Sequence, residues 1–194
     1  MANRGRVTDP DFELRAMDVG PRTASDIGLW TLDSANVLPM PTKIIDGCKV
    51  KQLKPIADER GHLMELIRND DPNFIKFGQT YMTSAYPGVV KGWHYHKVQI
   101  DNFCCVHGQI KLVLYDDRPS SPTKGVVNEF FLGIRNPISV QVPALVWHGF
   151  KCTSEEEAVV INVPTEPYSH TNPDEFRRPW NDPEIPYEWD RKNG

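Results

Sequence analysis

The stretch Gly92-Trp93-His94-Tyr95-His96-Lys97-Val98-Gln99-Ile100-Asp101 decides how this chain is read. Successive side chains of an extended strand point to opposite faces, so His94 and His96 share one face and stand close enough to hold one ion. After a turn, Asp101 opens the next run and is free to face back toward them. Further on, Pro143-Ala144-Leu145-Val146-Trp147-His148 adds another histidine, with Asn162 beyond it. Imidazoles and a carboxylate form a donor set for a divalent transition metal, and equally a set of acids and bases that work near neutral pH.

Working outward, the texture from Cys48 to Val163 is one of short runs rich in Val, Ile, Phe and Tyr. CKVKQL, HLMELIR, FGQTYMTSAY, GVVKGWHYH, NFCCVHG, QIKLVLYDD, NEFFLGI, ISVQV, LVWHGFKC and EAVVINV each have the length of a strand. None has the sustained 3.6-residue period of a long helix. Alternation puts Ile110, Leu112 and Leu114 on one face. It likewise puts Val146, His148, Phe150 and Cys152 opposite Trp147 and Lys151. Lys111 and Lys151 are expected on a solvated face. With 17 Pro and 13 Gly in 194 residues, this predicts an all-β antiparallel sandwich or barrel such as a jelly roll.

Residues 1–42 read as an extended N-terminal arm, which either leads in or crosses to a partner subunit with Trp30 as anchor. Residues 43–194 form the barrel with a C-terminal wrapping segment, proline-rich and aromatic from Pro164 onward. Within that tail Asn172–Phe176 is placed as a single helical turn, and Trp180, Tyr187 and Trp189 as residues that seek cover. A net charge of −4 supplies no basic surface for displacing counterions from nucleic acid. No apolar run spans a bilayer and no signal peptide is evident, so a cytoplasmic protein without membrane partners is expected. Cys48, Cys104, Cys105 and Cys152 include no C-x-x-C pair and read as buried, reduced thiols. His62, His107 and His170 read as surface or filler residues.

The H-x-H element, the acid at 101 and Gly108 together resemble the first cupin motif, and Pro143–His148 resembles the second, with Leu145 where glycine is usual. In metal cupins three histidines and one carboxylate converge, which implies His94, His96, Asp101 and His148 as ligands. A wider set of landmarks is similar to the dTDP-4-dehydrorhamnose 3,5-epimerase family. These are Asp58-Glu59-Arg60-Gly61 with Glu65, Phe77-Gly78-Gln79, Ser84, Gly88–Tyr95, Asp117–Thr123, His148-Gly149-Phe150, Tyr168 and Trp180-Asn181-Asp182-Pro183. The resemblance implies a cupin-type jelly-roll barrel, a homodimer, and a nucleotide-linked keto-sugar bound in its mouth. It implies His94 as the base that removes the proton beside the ketone, a task suited to neutral imidazole. It also implies Arg60, Lys91 and Gln79 toward the diphosphate and nucleotide, Glu65 toward the base, and Asn162 and Tyr168 on the substrate.

Three of the four chemical positions that the resemblance implies differ, one of them the C-terminal aspartate that orients the catalytic histidine, which has no clear counterpart here. The family's enolate-stabilising lysine falls on Asp101, and its general-acid tyrosine falls on Asn162. An anion at 101 opposes an enolate unless a cation intervenes. One account places a divalent ion there (Fe, Mn, Ni or Zn); the other keeps the site free of metal, with His94 working against Asp101 or His96. The leading expectation is an isomerase or epimerase in which His94, Asp101 and His148 are catalytic. The alternatives are a metal-dependent oxygenase or lyase on another small substrate, and a sugar-binding barrel without catalysis.

Overall fold

The computed structural model describes residues 40–193. The arm expected over residues 1–42, including Trp30 and any crossing, lies outside them except for Met40–Thr42. Two five-stranded sheets face each other. The first runs, in spatial order, β1 (Lys49–Gln52), β9 (Ile138–Val142), β6 (Asp101–His107), β11 (Ala158–Asn162) and β4 (Tyr81–Ala85). The second runs β12 (Phe176–Arg177), β5 (Val90–Tyr95), β10 (Trp147–Cys152), β7 (Gln109–Tyr115) and β8 (Val127–Gly133). A separate hairpin joins β2 (Ile56–Asp58) to β3 (Gly61–Leu63). Neighbouring strands are antiparallel, and the described residues contain no helix.

The core lies between the two sheets, built from the inward residues that alternation predicts. Ile110, Leu112 and Leu114 of β7 meet Phe103 and Cys105 of β6, Val140 and Val142 of β9, and Phe150 of β10. Removing each such large side chain from water contributes about 1.5–3 kcal/mol. The turn between β6 and β7 needs Gly108, whose φ is 66°. A Cβ there would stand 2.7 Å from Ser154 Oγ and 2.8 Å from the Glu157 carbonyl.

The outer face of the second sheet is not solvated, and here the expectation for Lys111 fails. The C-terminal segment crosses that face, packing Ile185 and Trp189 against Trp93, Val113 and Trp147. Lys111 is only 4% exposed, and its Nζ donates to the Trp189 carbonyl at 3.3 Å. Lys151 Nζ donates to the same carbonyl at 3.0 Å. A lysine in an alternating strand looks solvated until a distant segment covers it, with its stem on apolar surface and its head on carbonyls.

The tail differs in other ways as well. The proposed helical turn at Asn172–Phe176 is extended instead, because Phe176 and Arg177 pair with Tyr95 and His94 on the edge of β5. Of HLMELIR only its first two residues fall in a strand, β3. Trp180 remains exposed, yet its carbonyl accepts the indole N–H of both Trp93 (3.1 Å) and Trp189 (2.9 Å). The four cysteines are free and buried, and burial pushes the Cys48 thiol up to about 12.

Candidate active site inside the barrel

Strands β5 and β10 lie side by side with His94 opposite His148, and the register shifts just beyond that pair. The two strands approach closely because Gly92 faces Gly149: a Cβ on Gly149 would meet Gly92 Cα at 2.7 Å. The His94 and His148 ring centroids are 4.0 Å apart, and His96 lies 5.5 Å from His94 and 5.9 Å from His148. Asp101, at the start of β6, reaches in from the opposite sheet. One donor atom from each of His94, His96, Asp101 and His148 lies within 4.8 Å of the others. His96, Asp101 and His148 are buried, whereas His94 is half-buried.

Hydrogen bonding fixes how these groups face one another. His96 Nδ1 meets the Asp174 carbonyl, and His148 Nδ1 meets the Val146 carbonyl at 2.9 Å. A carbonyl only accepts, so each Nδ1 carries a hydrogen and each Nε2 turns inward. Both Nε2 atoms meet one oxygen, Asp101 Oδ2, at 3.2 Å from His96 and 3.1 Å from His148. His148 Nε2 and Asp101 Oδ2 nonetheless lack a hydrogen bond of good geometry. In a neutral imidazole that nitrogen bears a lone pair, so an anionic oxygen facing it calls for positive charge between them. A proton or a cation meets that need. The other carboxylate oxygen is satisfied by Gln99 Nε2 and Asn162 Nδ2, both at 2.8 Å.

The charges respond accordingly. Burial disfavours the His94 cation, and the neighbouring His148 adds to that, so His94 lies well below the ordinary imidazole value. Burial acts the same way on His96, but the Asp101 carboxylate beside it outweighs that and raises His96. For Asp101, burial alone would favour the neutral acid, yet His148 and His96 more than offset it and hold the carboxyl well below its usual range.

The remaining residues singled out from sequence fall into two groups. Asn162 is wholly buried and touches Asp101, and Lys91 Nζ donates to Thr83 Oγ1 at 2.9 Å, bridging β5 to β4. Gln79 is half-buried, its backbone N–H on the Pro164 carbonyl. The others engage locally: Arg60 pairs with Asp58, Glu65 with Arg68 at 2.7 Å, and Tyr168 stands edge-on to His170. None of these contacts reaches the histidine cluster. His107 pairs at the surface with Glu156.

Two residues were missed. Asp174 accepts the backbone N–H groups of Lys97 and Val98 at 2.8 Å and Gln99 at 3.1 Å while its carbonyl holds His96. Tyr81, opposite Asn162 in the β4–β11 register, places its phenol on Asn162 Nδ2 at 2.8 Å. Asp174 sits in a proline-dense tail some 75 residues from its partners, and no local pattern marks it. Tyr81 lies in a predicted strand, but its register against β11 is not written in either segment.

A two-sheet antiparallel barrel that turns histidines and a carboxylate into its interior is a cupin-type jelly roll. Residues 42–193 match dTDP-4-dehydrorhamnose 3,5-epimerase, and the chain belongs to that family of sugar epimerases and isomerases. It is 43% identical over 147 residues to the probable low-salt glycan biosynthesis epimerase Agl13 of Haloferax volcanii, covering 75% of this chain and 94% of the relative. It is 39% identical over 146 residues to the spore coat polysaccharide biosynthesis protein SpsL of Bacillus subtilis, covering 75% and 97%. Among solved structures, the dTDP sugar isomerase of Desulfovibrio desulfuricans G20 superposes with a TM-score of 0.72 at 32% identity, covering 79% of this chain and 95% of that one. No helix in the described residues is long and apolar enough to cross a membrane.

Proposed function

We propose that this chain epimerises or isomerises a nucleotide-linked keto-sugar by moving the proton on the carbon beside its carbonyl, with His94 as base. The observation that carries this reading is that His94 alone in the cluster is only half-buried, the other three being buried, so it is the member a ligand in the barrel reaches. Neutral imidazole is the right base for a carbon acid next to a ketone. His148 backs the His94 ring, and Asp101, held by Gln99 and Asn162, fixes the two buried imidazoles. Lys91 and Gln79 serve the diphosphate, and Tyr168 the base.

A second reading rests on the His148 Nε2 and Asp101 Oδ2 atoms that face each other without a hydrogen bond. His94, His96, His148 and Asp101 fit a divalent ion such as Fe, Mn, Ni or Zn in donor type and in mutual reach. Such an ion would supply Lewis acidity beside a carbonyl oxygen, the task for which Asp101 itself has the wrong sign. A ligating His94 would then not act as base.

The experiment that separates the readings pairs elemental analysis of the purified protein with NMR of keto-sugar nucleotides incubated in deuterated water. Deuterium entering the carbon beside the carbonyl without stoichiometric metal supports the His94 reading. Stoichiometric metal that disappears in His148→Ala, with no deuterium uptake, reverses the order. We also propose a homodimer; Arg60, paired with Asp58, and Glu65, paired with Arg68, lie away from the histidine cluster of their own chain.

A further inference from the structure

The position at which the family resemblance puts a tyrosine is filled here by Asn162, an amide that cannot deliver a proton to carbon. Its orientation is fixed by its neighbours. Asn162 Oδ1 accepts the backbone N–H of Asn102 at 2.9 Å, so Nδ2 is the end that turns into the barrel. One Nδ2 hydrogen goes to Asp101 Oδ1 and the other to the phenol oxygen of Tyr81, each at 2.8 Å. The phenol therefore accepts, and its own hydrogen is left to point elsewhere. Among the described residues, no side chain or carbonyl takes that hydrogen.

Tyr81 reaches this place from the neighbouring strand, because the β4–β11 register sets Asn162 directly opposite it. Thr83, two residues along the same face of β4, holds Lys91 from across the barrel. Tyr81 thus belongs to the wall formed by the first sheet, whereas His94 belongs to the second. A sugar ring lying between them would show one face to the imidazole and the other to the phenol.

We propose that Tyr81 is the proton donor on the sugar face opposite His94, with Asn162 positioning its hydroxyl. This rests on the keto-sugar reading above. His94 takes the proton from the carbon beside the ketone, and the electron pair of that C–H bond moves into the enolate. Tyr81 O–H then gives its proton to the opposite face of the same carbon, restoring the ketone with inverted configuration. The phenolate regains a proton from solvent, and His94 returns its own to solvent. Burial, with the nearby Asp101 charge, pushes the Tyr81 phenol up to about 12, so it holds its proton at neutral pH until an enolate forms.

Tyr81→Phe removes only the hydroxyl, and the test reads two signals from one sample of a dTDP-linked 4-keto sugar in deuterated water. Exchange of the α-hydrogen reports His94, and appearance of the epimer reports delivery to the far face. The expected result is that Tyr81→Phe still exchanges while epimer formation falls at least 100-fold, the range typical of a lost general acid. His94→Asn loses both signals. Unchanged melting temperature and dTDP binding in Tyr81→Phe show that the barrel and its mouth are intact. Epimer formed by Tyr81→Phe at the wild-type rate overturns the assignment and leaves the His94 reading standing. A wild-type enzyme that neither exchanges nor inverts such sugars removes that reading and this assignment with it.

Discussion

Leu145 has a φ of 66°, in the left-handed region that L side chains avoid, and it stands where the second cupin motif usually has glycine. Its N–H donates to the His96 carbonyl at 2.7 Å, so the turn before β10 is tied to the cluster. Its side chain is 46% exposed and gives little back in burial. Leu145→Gly is expected to raise stability by up to about 1 kcal/mol, read as a higher melting temperature; a lower one would show that the side chain matters more than the backbone. Asn162 has the opposite character, with every polar atom engaged. Asn162→Ala leaves Asp101 Oδ1 and the Asn102 N–H each short of a partner, and should cost about 2 kcal/mol in chemical denaturation. The sequence displayed Asn162 as a departure from a resemblance. Its fixed amide emerged only from contacts with residues 60 and 61 positions away.

At the scale of elements, the strands and their inward faces were readable because a period of two needs no distant information. The loop between β5 and β6 was not, since Asp174 closes it from the tail. That carboxyl is half-buried, and the desolvation alone would raise it, but the backbone N–H groups of Lys97, Gln99 and Val98 hold it below the usual range. Asp174→Ala is expected to loosen His96 and lower turnover by about 10–100-fold, the loss common for groups that orient a site's first layer; initial rates under saturating substrate check it. The loop after β7 has its own buried acid. Asp116 is fully buried, and Arg118, Ser121 and Thr123 hold its carboxyl far below its usual range against the burial that would raise it. Because the folded value is the lower one, this stabilisation is complete above the unfolded carboxyl value near 4 and fades as pH falls toward the folded value. Asp116→Ala should cost about 3–5 kcal/mol at pH 7. Its deficit relative to wild type should shrink in unfolding curves taken progressively below pH 4.

For the whole molecule, the hairpin β2–β3 carries Ile56 (56% exposed) and Leu63 (60%), and Phe77 and Met82 are exposed to 63% and 65%. We propose that these side chains are covered in an assembly of the chain. A second copy of the chain is expected, giving a mass in analytical ultracentrifugation near twice 22.1 kDa. Ile56→Glu with Leu63→Glu should shift that mass to the single-chain value, whereas an unshifted dimer would place the interface elsewhere. Sequence marked these exposed side chains poorly, because Ile and Leu in short strands read first as core. Behind the site, the Trp189 indole rests 3.4 Å from where a Cβ of Gly149 would be and 3.5 Å from that of Gly92. A fluorophore thus sits one peptide layer away from His94 and His148, on the dry side of the wall. Filling the barrel, or loading it with a paramagnetic ion, is therefore expected to quench the intrinsic emission that Trp189 shares with Trp93, packed 4.8 Å from it, an optical gauge that needs no added label.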